Sequence, residues 1–140
     1  MNFNCYTYDE ISIGDSENFT VTMSDEMVSH FSAMTGDLNP LHTDKAFAAA
    51  AGYDRKVVYG MLTASLMSTL AGMHLPGTHS LIHKSEAEFP APVFVGDTLS
   101  VTGEVVAKND AFKIIELKVI IRNQVGKKVL RGRMQVGVLK

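Results

Sequence analysis

Between Val57 and Met73 the chain runs for 17 residues without a charged side chain. At about 17 residues the stretch sits at the lower limit for a membrane span, and Gly60, Thr63, Ser65, Ser68, Thr69 and Gly72 make it too polar for one. It reads as a helix from about Gly60 to Met73, ended by Pro76-Gly77. A helix with no charged face needs cover from the rest of the protein. The second half of the chain offers that cover. Leu99, Val101, Gly103 and Val105 alternate with Thr98, Ser100, Thr102 and Glu104. Ile115, Leu117, Val119 and Ile121 alternate with Glu116, Lys118 and Arg122, and Leu130, Met134, Val136 and Val138 with Arg131, Arg133 and Gln135. Period two with one apolar face predicts an antiparallel sheet that is wet on one side. Lys108-Asn109-Asp110 and Asn123 to Lys127 mark the hairpin turns, and Pro90, Pro92 and Gly96-Asp97 interrupt the strand signal before them. The expected fold is α+β: one domain spanning 1–140, with a long central helix wrapped by an antiparallel β-sheet. Uncovered helix surface or a sheet edge invites a second copy, so a homodimer is expected.

The first half is helical in pattern. Phe19 to Met23 reads as a short strand, and Ser24 as the N-cap of a helix with Asp25 and Glu26 in its first turn. Met27, Phe31 and Met34 form its predicted apolar stripe, and Gly36 its stop. Asp44 can cap a second helix, Lys45 to Ala51, closed by Gly52.

Composition narrows the function classes. With 13 basic and 15 acidic residues the net charge is −2, and no basic cluster looks like a nucleic-acid footprint. A single cysteine, Cys5, excludes a disulfide framework or a multi-cysteine zinc site and points to a reducing, cytoplasmic setting. The sequence MNFNCYTYDE has neither the basic nor the apolar region of a secretory signal. His74, His79 and His83 are spaced five and four apart, and two of them lie on a predicted strand, which does not make converging metal ligands. His30 falls on a polar helix face, and Arg55-Lys56 read as a solvated charge pair rather than a phosphate site. No Gly-rich phosphate loop is present, and no metal or cofactor is expected.

The chemistry concentrates between residues 31 and 48. Asp37 and His42 stand five apart in a loop between two helices, where Gly36 permits a sharp exit and Pro40 holds Asn39 extended. A carboxylate and an imidazole on one short rigid loop suit acid–base work, although Asp after Gly and Asn before Pro are also ordinary turn residues. The run Gly36-Asp37-x-Asn39-Pro40-Leu41-His42, followed after five residues by Ala48, is similar to the signature of the MaoC-like (R)-specific enoyl-CoA hydratases. Chance alone would give Gly-Asp-x-Asn-Pro-[Leu/Ile/Val]-His on the order of once in 100,000 chains of this length. Val58-Tyr59-Gly60-Met61-Leu62, Leu75-Pro76-Gly77 and Phe89 to Asp97 resemble later blocks of the family, so the resemblance spans roughly residues 15 to 138.

The resemblance implies the hotdog fold and reversible addition of water to a trans-2-enoyl-CoA, giving the (R)-3-hydroxyacyl-CoA. It implies that Asp37 and His42 hold the reacting water, and an acyl-CoA thioester is the expected partner. Gly60, at the expected start of the central helix, is the oxyanion candidate, because first-turn N–H groups favour developing negative charge. Asn39 is expected to orient the loop, since an amide has no proton to exchange at neutral pH. Small residues on or near the Gly60 helix face, Ser68 and Ala71, are candidates for an acyl pocket. Tyr59 departs from the family, which commonly has histidine before the glycine. Alternatives are the same chemistry as a 3-hydroxyacyl-ACP dehydratase, an acyl-CoA thioesterase, and a non-catalytic acyl-thioester-binding protein.

Overall fold

The structure is a computed structural model and describes residues 2–140. Five strands form one antiparallel sheet: β1 (Ser16–Thr22), β2 (Ser80–Glu88), β3 (Thr98–Asn109), β4 (Ile114–Arg122) and β5 (Lys128–Val138). Their order is β1-β3-β4-β5-β2, so the three strands with the clearest alternation are central and the two weaker ones are edges. The helices α1 (Asp25–Thr35), α2 (Pro40–Thr43), α3 (Lys45–Ala50) and α4 (Gly60–Thr69) all come between β1 and β2. The alternation holds: Leu99, Val101, Val105, Ile115, Leu117, Val119 and Ile121 are all fully buried, while Thr98, Ser100, Thr102 and Glu104 are exposed.

The central helix begins at Gly60 as expected and continues past Thr69 as a wider, π-type turn from Leu70 to His74. Its buried side, including Leu62, Leu66, Met67, Leu70 and Ala71, packs on the sheet in one core. Two glycines set how closely it approaches. A Cβ at Gly103 would lie 2.5 Å from Leu70 Cδ2, and one at Gly132 would lie 2.7 Å from Met67 Cε and 2.9 Å from the Glu86 carbonyl oxygen. The sheet covers only one side of the helix. Met61 (68 % exposed), Ser65, Ser68 and Thr69 face outward. The expectation of cover all round is thus met on one side within a single chain. Gly132→Ala is expected to destabilise the protein by about 1–3 kcal/mol, because the added methyl meets backbone as well as a flexible side chain. A urea melt with an unchanged slope and a wild-type midpoint would contradict this.

Local signals in the first half hold with adjustments. Ser24 caps α1 by accepting the Met27 N–H, and Gly36 ends it with φ 76°. The predicted Met27–Phe31–Met34 stripe is corrected: Val28 and Ser32 are the buried residues, Phe31 and Met27 are partly buried, and Met34 is 78 % exposed. The physical reason is that α1 lies at the molecule's margin and buries only a narrow face. Asp44 caps α3 by accepting from the Ala46 and Phe47 N–H groups, and the helix ends at Ala50. No helix among the described residues is long and apolar enough to cross a membrane.

Candidate active site

The segment between α1 and α3 is a loop containing one helical turn, α2, with His42 on it. Asn39 is the N-cap of that turn: its side-chain oxygen accepts the Leu41 N–H at 3.0 Å, and Pro40 takes the first helical position, where a missing N–H costs nothing. The Asn39 N–H in turn donates to Asp37 Oδ1 at 3.1 Å. Asp37 and His42 are therefore fixed to one small hydrogen-bonded unit.

His42 Nδ1 lies 2.6 Å from the Val57 carbonyl oxygen. A carbonyl only accepts, so Nδ1 carries the proton and Nε2 of the neutral ring is left as an acceptor. The imidazole packs against the Tyr59 ring, with centroids 4.0 Å apart. Gly60 follows as the first residue of α4, and Tyr59, the N-cap, makes no side-chain capping hydrogen bond there. The Leu62 and Thr63 N–H groups both donate to the Tyr59 carbonyl, whereas those of Gly60 and Met61 have no acceptor within the helix.

A pocket of about 590 Å³ brings together Asp37, His42, Tyr59 and Gly60, with Phe31 and Phe89 among its walls. A second chamber of about 260 Å³ shares His42, Gly60 and Phe89 and runs inward between Val57, Val93 and Val129. The buried Thr63 hydroxyl lines this chamber and has no hydrogen-bond partner among the described residues. A donor for negative charge, an imidazole acceptor and a carboxylate thus meet at the mouth of an apolar chamber.

The structure separates other candidates from this pocket. Ser68 lies on the outward face of α4 and Ala71 is fully buried in the core, and neither lines either chamber. The chamber walls include Phe89, Ala91, Pro92, Val93 and Val129, whose approach to Gly60 depends on sheet topology and leaves no local sequence signal. Arg55 and Lys56, expected as a solvated pair, are both engaged. Arg55 reaches Asp97 at 3.4 Å, donates to the Val95 carbonyl and lies over the Phe94 ring, while Lys56 pairs with Asp25. His74 stacks on Phe19, His79 meets the Tyr6 carbonyl and His83 packs over Gly137, so the three go separate ways. His30 stays exposed beside Glu26, and Cys5 is exposed.

Comparison with known proteins bears on the family and the fold. The family model for the MaoC like domain matches residues 11–127. An (R)-specific enoyl-CoA hydratase of Aeromonas caviae is 36 % identical over 126 residues, covering 90 % of this chain and 94 % of that protein. A 3-hydroxybutyryl-CoA dehydratase of Methylorubrum extorquens is 33 % identical over 98 residues, covering 70 % of this chain and 62 % of that protein. The solved (R)-hydratase of A. caviae superposes with a TM-score of 0.88 over 91 % of this chain and 97 % of its own. An R-hydratase of Pseudomonas aeruginosa superposes with a TM-score of 0.89 at 28 % identity, over 94 % of this chain and 84 % of its own. On the match over residues 11–127, the 36 % identity and the shared fold, the chain belongs to the MaoC-like domain family.

Proposed function

We propose that the protein is an (R)-specific enoyl-CoA hydratase, a hydro-lyase that adds water reversibly across the double bond of a trans-2-enoyl-CoA. The observation that carries this reading is the meeting of Asp37, His42 and Gly60 at one pocket, with His42 Nε2 left as an acceptor. The β-carbon of a conjugated thioester is electrophilic only when its carbonyl oxygen can take up charge. The Gly60 N–H supplies that donor, the acyl chain enters the apolar inner chamber, and a water held by the Asp37 carboxylate and His42 Nε2 stands beside the double bond. One of the two groups takes the water's proton as its oxygen bonds the β-carbon. The enolate is then protonated at the α-carbon from the same side.

The single 1–140 domain acts as a homodimer in this reading. Asp37 is exposed in one chain, the adjacent Leu38 is 71 % exposed, and Met61 and Phe89 (47 % exposed) line the same pocket, apolar surface that a second subunit or substrate would dry. The edge strand β2 also exposes Leu81 and Ile82. Sedimentation at micromolar concentration is expected to give about twice the 15.3 kDa chain mass, and a stable monomer would contradict the dimer. The exposed free thiol of Cys5 suits a cytoplasmic location.

The test is incubation with crotonyl-CoA, following loss of the conjugated absorbance while assaying free thiol in parallel. Absorbance loss without thiol is expected. Thiol release would assign hydrolysis, and no change in either would leave binding alone. Faster turnover of the acyl-carrier-protein thioester than of crotonyl-CoA would move the carrier assignment to the dehydratase reading.

A further inference from the structure

Tyr59 is 2 % exposed, and its hydroxyl is spent on the loop that carries Asp37. The phenol donates to the main-chain carbonyl of Asp37 itself and lies 2.6 Å from Ser32 Oγ on α1. Ser32 Oγ is also 3.0 Å from the Val28 carbonyl oxygen. Two hydroxyl protons therefore serve three contacts, and both carbonyls can only accept. Val28 lies inside α1, where its carbonyl already has the helical ladder, whereas Asp37 lies beyond the helix end. The arrangement that puts a proton in both short contacts runs in one direction: Ser32 donates to Tyr59, and Tyr59 donates to Asp37, leaving without a proton only the longer contact between Ser32 and the Val28 carbonyl. Such a chain polarises and strengthens its last bond.

The ring does the rest. It packs against the His42 imidazole at 4.0 Å and against Phe31 at 4.8 Å, and the next peptide unit carries the Gly60 N–H. One residue thereby joins the carboxylate loop and the imidazole, through its side chain, to the start of α4, through its peptide bond. We infer that Tyr59 is a positioning residue, whose hydroxyl sets the height of the Asp37 loop over the pocket while its ring fixes the His42 plane. Histidine, the residue common in the family here, has no group reaching as far as a phenol. The tyrosine and Ser32 thus work as a pair. This inference rests on Asp37 and His42 holding the reacting water.

The experiment measures kcat and KM for crotonyl-CoA in Tyr59→Phe, Ser32→Ala, Asp37→Asn and the Tyr59→Phe/Asp37→Asn double variant, with thermal melts of each. Tyr59→Phe keeps the ring and removes the donor. It is expected to lower kcat about 10- to 100-fold with KM within about twofold, because displacement of a reacting group by an ångström costs on that order. Ser32→Ala should lower kcat about two- to fivefold in the same way, and it reads the same hydrogen-bond chain if Tyr59→Phe melts too low to assay. In the Asp37→Asn background Tyr59→Phe should add almost nothing, since the tyrosine acts through that carboxylate. Wild-type kcat in folded Tyr59→Phe beside an inactive Asp37→Asn would overturn the role of Tyr59 and leave the site standing. Losses that multiply in the double variant would also overturn it, by placing the effect away from Asp37. Full turnover in Asp37→Asn would overturn both this inference and the reading beneath it.

Discussion

Asp37→Asn is expected to lower crotonyl-CoA hydration by about 100- to 10,000-fold, and His42→Ala by a similar factor, the range general acid–base assistance supplies. The asparagine keeps the shape of the side chain and its acceptor for the Asn39 N–H, so the loop should hold. What it lacks is a basic carboxylate. His42→Ala removes the Nε2 acceptor that the Val57 carbonyl sets up by holding the proton on Nδ1. If the two groups hold one water, either loss releases it, and the double variant should be little worse than the worse single. Neither residue belongs to the buried core, so thermal melts should stay close to wild type. Losses that multiply in the double variant would keep both residues catalytic and reject the shared water.

Gly60→Pro should be nearly as damaging, for a different reason. Proline removes the N–H that is assigned to the thioester oxygen, and it does so where a helix tolerates proline best, at its first position. Tyr59, with φ −52° and ψ 128°, already has the extended backbone that a following proline requires. The loss of one oxyanion donor typically costs about 100- to 1,000-fold in kcat. Bulk is controlled by Gly60→Ala, which keeps the N–H and brings a Cβ to 3.4 Å from the Phe89 ring, an ordinary contact. If the alanine and proline variants lose turnover equally, crowding against Phe89 explains the effect and the oxyanion assignment fails.

What the sequence made legible depended on how local the cause was. The central strands β3, β4 and β5 could be read because each buries one face, and a buried face writes period two into the chain. The edge strand β2 has seven exposed or half-exposed residues from Ser80 to Glu86, so its register comes from pairing with β5 instead of from its own pattern. Two caps could be read for the same reason as the strands: Ser24 and Asp44 each satisfy an N–H two or three residues away. Met34 misled because helical spacing says which residues share a face, and not whether anything covers it. The Asp37–His42 unit was visible as a short motif. The phenol beneath it was not, because Ser32, Asp37 and Tyr59 come from three elements and meet only once α4 is docked. The inner chamber was hidden in the same way, since Val129 reaches it across the sheet.

In the proposed reaction one water, held on one face of the double bond by Asp37 and His42, supplies both the hydroxyl and the α-proton. Hydration of crotonyl-CoA in deuterated water tests it directly, because deuterium then marks the face on which the α-carbon was protonated. Proton NMR of the 3-hydroxybutyryl product should show hydroxyl and deuterium added to the same face, with the (R) configuration at the β-carbon. Addition to opposite faces would require a proton donor on the far side of the substrate and would contradict the shared water.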